Sequence, residues 1–188
     1  MKFTYTLTNI GWGDVYLKIG QTEIYMEPSY LSEPLNDLVR SIEFLIPSLN
    51  EPDEARDVVT FDWDSEPAIH SWRITKVANT NLRIEIKLFK DGIKTDSGEL
   101  LLNEECDLIE FIQELVEALE MLLKNHGLVG YRKQWARQDF PISSYLQLKC
   151  YLENGNQFPT QVKETKGWIE NIESNLSDEL TLIKKSVL

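Results

Sequence analysis

His70 and His126 are the two side chains whose ordinary titration lies near neutral pH, so acid–base or metal chemistry is sought there first. Each stands alone. Neither has a cysteine or carboxylate at metal-ligand spacing. His70 is expected on a strand just before Trp72, and His126 at the C-terminal end of a helix, where an imidazolium suits the dipole. Cys106 and Cys150 read as buried free thiols in a chain whose first residues form no export signal. Asp62, Asp64 and Glu66 alternate as if on one strand face and offer hard oxygen ligands for a divalent cation. The D-W-D-S-E-P run lacks the glycine turn and distant bidentate glutamate of a calcium loop, so solvated outer-face carboxylates are expected. Two-carboxylate hydrolysis meets the same objection, because acids are so numerous that some pair is always at hand. G-W-G-D is not a phosphate cradle, and neither G-x-x-x-x-G-K-[ST], G-x-G-x-x-G nor G-x-S-x-G occurs. The sequence thus names no catalytic residue, no metal ligand and no cofactor.

Charge carries more information. Of the formal net −12, two segments hold all of it. Residues 51–66 contain seven acids against Arg56, and residues 104–126 contain seven against Lys124, so each is −6 and the remainder sums to zero. Such a field attracts a basic partner and repels nucleic acid and anionic membrane surfaces. Arg132, Lys133 and Arg137 beside Tyr131 and Trp135 are too few for a nucleic-acid footprint in a protein of pI about 4.6. Along a helix over 104–126, Leu108, Phe111, Ile112, Leu115, Leu119 and Leu122 fall on one side, and Glu110, Glu114 and Glu117 share the other. Those carboxylates lack balancing lysines at i+4 and repel one another by a few tenths of a kcal/mol per pair. Glu110, Glu114 and Glu117, with Asp62 and Asp64, are therefore the candidate protein-binding residues, the helix being favoured over the 51–66 segment, which reads mainly as solubility.

The elements that must position these groups follow from periodicity. Phe3, Tyr5 and Leu7 alternate with threonines, Val15, Leu17 and Ile19 form a second strand, and Ile24 to Met26 a third, giving a meander over 2–27. Leu31 to Ile46 has helical spacing, with Ser32 as cap, Pro34 in the first turn and Pro47 as stop. Residues 50–57 are an acidic loop. Strands follow around Val59–Trp63, Trp72–Ile74 and Leu82–Leu88, with a turn over Asn79 to Asn81, another at Asp91-Gly92, and a short strand near 98–102. The 104–126 helix takes Asn103 as cap and Gly127 as stop; 131–138 is a short basic aromatic helix; 139–155 reads as a helix capped by Asp139 and closed by Gly155. Trp168, Ile169, Ile172, Leu176, Leu180 and Ile183 give a last amphipathic pattern, weakened by Gly167. No run approaches the roughly 18 apolar residues of a membrane span, and a cytoplasmic location is expected.

The block from G-W-G-D-V through S-Y-L-S-E-P-L-N-D-L to F-D-W-D-S-E-P and S-W-R-I, within residues 8–90, resembles a family of uncharacterised bacterial proteins. Some of these look like immunity-type companions of secreted toxins. The resemblance implies a bacterial cytosolic origin and an acidic inhibitor that covers the basic cleft of a nuclease toxin by charge and shape complementarity. It assigns no interface residues. The expected architecture is one α+β domain over 1–188, strand-rich to 102 and helix-rich from 103. It has an antiparallel sheet of six or seven strands, helices on one face and a helical C-terminal third. The expected function is non-enzymatic binding of a basic protein, an immunity protein facing a toxin domain. The alternatives are a structural or regulatory subunit that self-associates through residues 131–188, and a hydrolase with an unrecognised carboxylate site.

Overall fold

Alternation of threonines with Phe3 and Tyr5 makes an edge strand, β1 (Lys2–Leu7), whose aromatic side faces the core. β2 (Gly13–Ile19) and β3 (Thr22–Met26) complete an antiparallel meander, β1-β2-β3, with Phe3 opposite Leu17 and Leu17 opposite Ile24. The computed structural model describes residues 1–77, 80–94, 97–164 and 170–187. Between β1 and β2 the chain turns at Gly11, φ +77°, where a Cβ would sit 2.6 Å from the Tyr30 ring; only glycine lets the ring close over the turn.

α1 (Pro34–Phe44) starts with proline in its first turn as expected, but its N-cap is Glu33. Ser32 is used elsewhere: its Oγ accepts the backbone N–H of Asp64 at 2.9 Å. β4 (Val58–Ser65), β5 (Ala68–Lys76), β6 (Asn81–Phe89) and β7 (Glu99–Asp107) then form a second antiparallel sheet in chain order. Phe61 pairs with Trp72 and Trp72 with Ile86, so the buried side of each strand meets the buried side of the next. The expected turn over Asn79 to Asn81 lies partly outside the described residues, and Asn81 opens β6.

The seven strands of the first 107 residues do not make one sheet. They divide into sheets of three and four, and a two-stranded sheet follows near the C-terminus. The cause is the long α1-bearing excursion between β3 and β4, which lets the two sheets meet through side chains. β3 lies beside β7, where Thr22 Oγ1 donates to Glu104 Oε1 at 2.7 Å, and no backbone ladder joins them among the described residues.

A second correction concerns the acidic helix. Residues 104–107 are the end of β7, with Cys106 opposite Leu82 and Asp107 opposite Asn81. The helix, α2 (Leu108–Gln134), is capped by Asp107, whose Oδ1 accepts the N–H of Glu110 at 3.0 Å, and not by Asn103. Gly127, φ +59°, breaks it where a stop was expected, yet the helix resumes to Gln134 and takes in the first half of the 131–138 segment; Trp135 is its C-cap, and Ala136 and Arg137, φ +46° and +78°, lie beyond it instead of continuing the expected short helix. α3 (Ile142–Asn154) is closed by Gly155 in the left-handed conformation as expected, but its N-cap is Pro141 and not Asp139.

The C-terminal third is not wholly helical. β8 (Thr160–Glu164) and β9 (Glu170–Ser174) form a hairpin ahead of α4 (Leu176–Val187). Gly167, Trp168 and Ile169 of the expected amphipathic pattern lie outside the described residues. One contiguous apolar core runs from Phe3 through both sheets and α1 to α2, α3 and Phe158. No helix among the described residues is long and apolar enough to cross a membrane.

Candidate functional site

The acidic face of α2 is built against the N-terminal strand. Glu110 holds the terminal ammonium of Met1. Glu114 Oε2 accepts the backbone N–H of Phe3 at 3.1 Å and lies 2.9 Å from Lys2 Nζ, while Glu117 Oε2 stands 3.9 Å from the same ammonium. Glu114 is only 17% exposed. Its carboxylate therefore caps a free donor on the outer edge of β1, one way in which a sheet edge is protected. Further along, Glu120 pairs with Lys149 at 2.7 Å and accepts from the Tyr145 hydroxyl at 3.3 Å. The mutual repulsion expected along this face is relieved by cations from β1 and α3, more than a hundred residues and about thirty residues away in sequence respectively. Spacing on the helix alone carries no signal of those partners.

Asp62 and Asp64 lie on the outer side of β4, as their alternation requires. Lys94, from the β6–β7 connection, binds both oxygens of Asp62 at 2.8 and 2.7 Å and reaches Ser71 Oγ at 3.2 Å. Across the same outer surface Arg83 pairs with Glu105, and Lys87 with Glu85 at 3.4 Å. The carboxylate of Asp64 makes no hydrogen bond or ion pair among the described residues; its backbone carbonyl accepts from the Ser29 N–H at 2.6 Å. The five candidate residues are not gathered in one patch. Glu110, Glu114 and Glu117 belong to the α2–β1 seam, and Asp62 and Asp64 to a sheet surface on which bases balance acids.

The acidic loop also carries carboxylates without partners. Glu51, Asp53, Glu54 and Asp57 are exposed, and their side chains make no ion pair or hydrogen bond among the described residues. The loop is nonetheless anchored. Asn50 Nδ2 donates to the carbonyls of Glu43 and Ile46 at 2.6 and 2.8 Å, Arg56 N–H to Phe44 at 2.8 Å, and Lys76 N–H to Asp57 at 2.8 Å. The Arg56 guanidinium, the one base in the segment, sits 4.6 Å from the centre of the Phe44 ring. Four carboxylates are thus presented from a short loop fixed at both ends. Sequence reasoning ranked this segment below the helix because loop acids are easily placed in water; the difference in ion pairing between the two segments is visible only in the fold.

Among the described residues, no group of three or more His, Cys, Asp and Glu side chains is placed to hold a metal ion. His70 is 6% exposed, and burial pushes its imidazole down to about 4; its Nδ1 lies 3.0 Å from Ser65 Oγ. Cys106 and Cys150 are free and buried, and burial pushes the Cys106 thiol up to about 12. No protein-family model, curated protein or solved structure matches the chain. The immunity-type reading of residues 8–90 accordingly rests on their sequence pattern alone.

The polar cleft between α1 and the start of α3, about 300 Å³, is lined by Glu33, Asn36, Arg40, Asp139, Ser143 and Ser144. Beside it, Ser144 Oγ donates to Glu43 Oε2 at 2.8 Å, and burial raises the Glu43 carboxyl above its ordinary value despite that bond and nearby Arg40. The raised value means that the unfolded chain releases this proton first, so stability is lost as pH rises above the ordinary glutamate range. Glu43→Gln keeps an acceptor for Ser144 and removes the buried charge. It is expected to raise stability at pH 7 by about 1 kcal/mol or less, with the gain vanishing near pH 4, as urea midpoints at the two pH values will show.

Proposed function

We propose that this chain is a non-enzymatic binding protein that receives a basic protein partner on the acidic loop of residues 51–57. We further propose that the partner is a toxin domain whose positive cleft the loop covers, an immunity function exercised in the bacterial cytoplasm. The observation that carries the reading is the contrast in pairing. The carboxylates of α2 are spent on Met1, Lys2, Phe3 and Lys149, whereas those of Glu51, Asp53, Glu54 and Asp57 make no ion pair among the described residues and stand on a loop whose backbone is anchored at both ends. An anchored backbone limits the freedom lost on docking, and a row of unpaired carboxylates steers a cationic partner from beyond contact range. The resemblance of residues 8–90 to immunity-like proteins supplies the partner class.

The test compares the wild-type chain with the triple variant E51K, D53K and E54K, which shifts the formal charge from −12 to −6. Both are immobilised and challenged with native-host lysate at low salt, and the captured basic protein is then purified for association kinetics. Steered association spans roughly 10–10³-fold, so the triple variant is expected to associate at least about tenfold more slowly, with a flatter salt dependence. The matched variant E110K, E114K and E117K should leave the rate closer to wild type once its fold is verified. Equal rates for wild type and the loop variant, or no basic protein captured, would remove the reading.

A further inference from the structure

Beyond Gly127 the chain changes character. Residues 1–126 carry a formal net charge of −13, whereas residues 127–188, with eight bases and seven acids, carry +1. The same part of the molecule leaves an apolar face uncovered. A groove of about 390 Å³ runs between Leu128 of α2, Leu146 of α3, Phe158, and Leu176, Leu180 and Ile183 of α4. Thr160 and Ser174, opposite each other at the base of the β8–β9 hairpin, close one side of it. Two residues further along the same hairpin face, Val162 stands opposite Ile172, and these are 57% and 68% exposed. The other face of the hairpin is polar and carries the Lys163–Glu173 pair. Leu128, Leu176 and Leu180 are 48%, 65% and 46% exposed.

We propose that this face is the interface of a homodimer, with a second copy of the chain as its occupant. Charge selects the occupant. Two molecules of net −12 repel wherever their acidic elements approach, and a two-fold contact brings the same patch of each copy together. Along α2 as far as His126, the last residue before the Gly127 break, at 1.5 Å per residue Glu117 lies roughly 14 Å and Glu110 roughly 24 Å from that end, both beyond the Debye length of about 8 Å at physiological salt. Glu120, nearer, is neutralised by Lys149. Glu179, the one acid lining the groove among the described residues, accepts the Ser174 hydroxyl, and the rest of the near-neutral C-terminal face brings two copies together with little opposing charge.

The area agrees. Full burial of an aliphatic side chain is worth about 1.5–3 kcal/mol at about 25 cal/mol per Å², or roughly 60–120 Å² each, so the five exposed side chains offer about 300 Å² per copy. Two copies bury about 600 Å² of apolar surface, and with interfaces about 60% apolar the total is about 1,000 Å². That is the lower bound for a specific interface and fits a dimer in the micromolar range rather than an obligate one.

Sedimentation equilibrium of the full chain from about 1 to 100 μM, at 0.15 and 1 M salt, is the test. Expected is a monomer–dimer equilibrium that persists or strengthens at 1 M salt, and that Leu180→Glu and, separately, Ile172→Lys each weaken at least about tenfold with the far-UV circular dichroism retained. Amide exchange should slow with concentration in residues 160–164 and 170–187 selectively, a readout that stands even where a variant disturbs α4. The loop variant E51K, D53K and E54K should leave the dimer intact, which keeps this inference separate from the proposed function. A monomer at about 100 μM, a dimer that neither variant weakens, one dissolved by salt, or exchange protection outside the face would each overturn it.

Discussion

Trp63→Ala is expected to lower the thermal midpoint by about 10 °C or more. Trp63 is fully buried on β4, with Trp72 of β5 at 4.6 Å between ring centres and Phe61 at 6.1 Å. On its other side Tyr5 of β1 meets it edge-on at 6.4 Å, and Tyr5 in turn meets Trp135, the cap of α2, at 6.2 Å. This run of rings joins the three-stranded sheet, the four-stranded sheet and the end of α2, where no backbone ladder links the sheets among the described residues. Truncating a buried tryptophan costs about 3–5 kcal/mol, and for a chain of this size each kcal/mol moves the midpoint by about 2–4 °C. Trp63→Phe separates packing from hydrogen bonding. The Trp63 Nε1 donor is buried without a partner among the described residues, so phenylalanine removes a desolvated polar atom while keeping most of the ring, and should cost about 1 kcal/mol or less. A Trp63→Ala midpoint within about 3 °C of wild type would mean that the sheets do not unfold as one unit.

Periodicity made the first 102 residues legible at the level of elements. Phe3 and Tyr5, Val15 to Ile19, and Phe61 to Trp63 each signal a strand within a handful of residues, and Pro34 and Pro47 bracket α1. Sheet membership was not legible, because it depends on which edges meet: Thr22 with Glu104, Ser29 with Asp64. Glu104, Glu105 and Asp107 suit the first turn of a helix, yet β6 offers an unpaired edge to them, and the ladder from Leu82 to Cys106 outweighs helix propensity. The β8–β9 hairpin escaped notice because Ile172 also fits the helical spacing to Leu176, Leu180 and Ile183. The candidate site suffered most from locality. A carboxylate row on a helix reads as exposed until Lys2 and the Phe3 amide are seen against Glu114, and a polar loop reads as mere solvent contact until Asn50 and Arg56 are seen to fix it.

His70 sets how the fold responds to acid. Its ring lies on the core side of β5, opposite Trp63 on one neighbouring strand and Leu88 on the other, with Ser65 Oγ as its hydrogen-bond partner. Burial holds its pKa near 4, against the ordinary 6.5 that it regains on unfolding. Between these values the unfolded chain binds the proton and the folded chain does not, so the stabilisation is complete above pH 6.5 and drains away as pH falls towards 4. The loss by the lower limit is about 3 kcal/mol, a large fraction of ordinary domain stability. Asp37 and Glu43, both raised by burial, act in the opposite sense and gain as pH falls, so the wild-type curve alone mixes the two. His70→Gln isolates the histidine, since glutamine retains a polar partner for Ser65 and does not titrate. At pH 7 the variant should be the less stable by about 1–2 kcal/mol; at pH 4 the order should reverse. Urea midpoints from pH 7 to 4 decide it, and parallel curves for the two proteins would show that burial leaves the imidazole unperturbed.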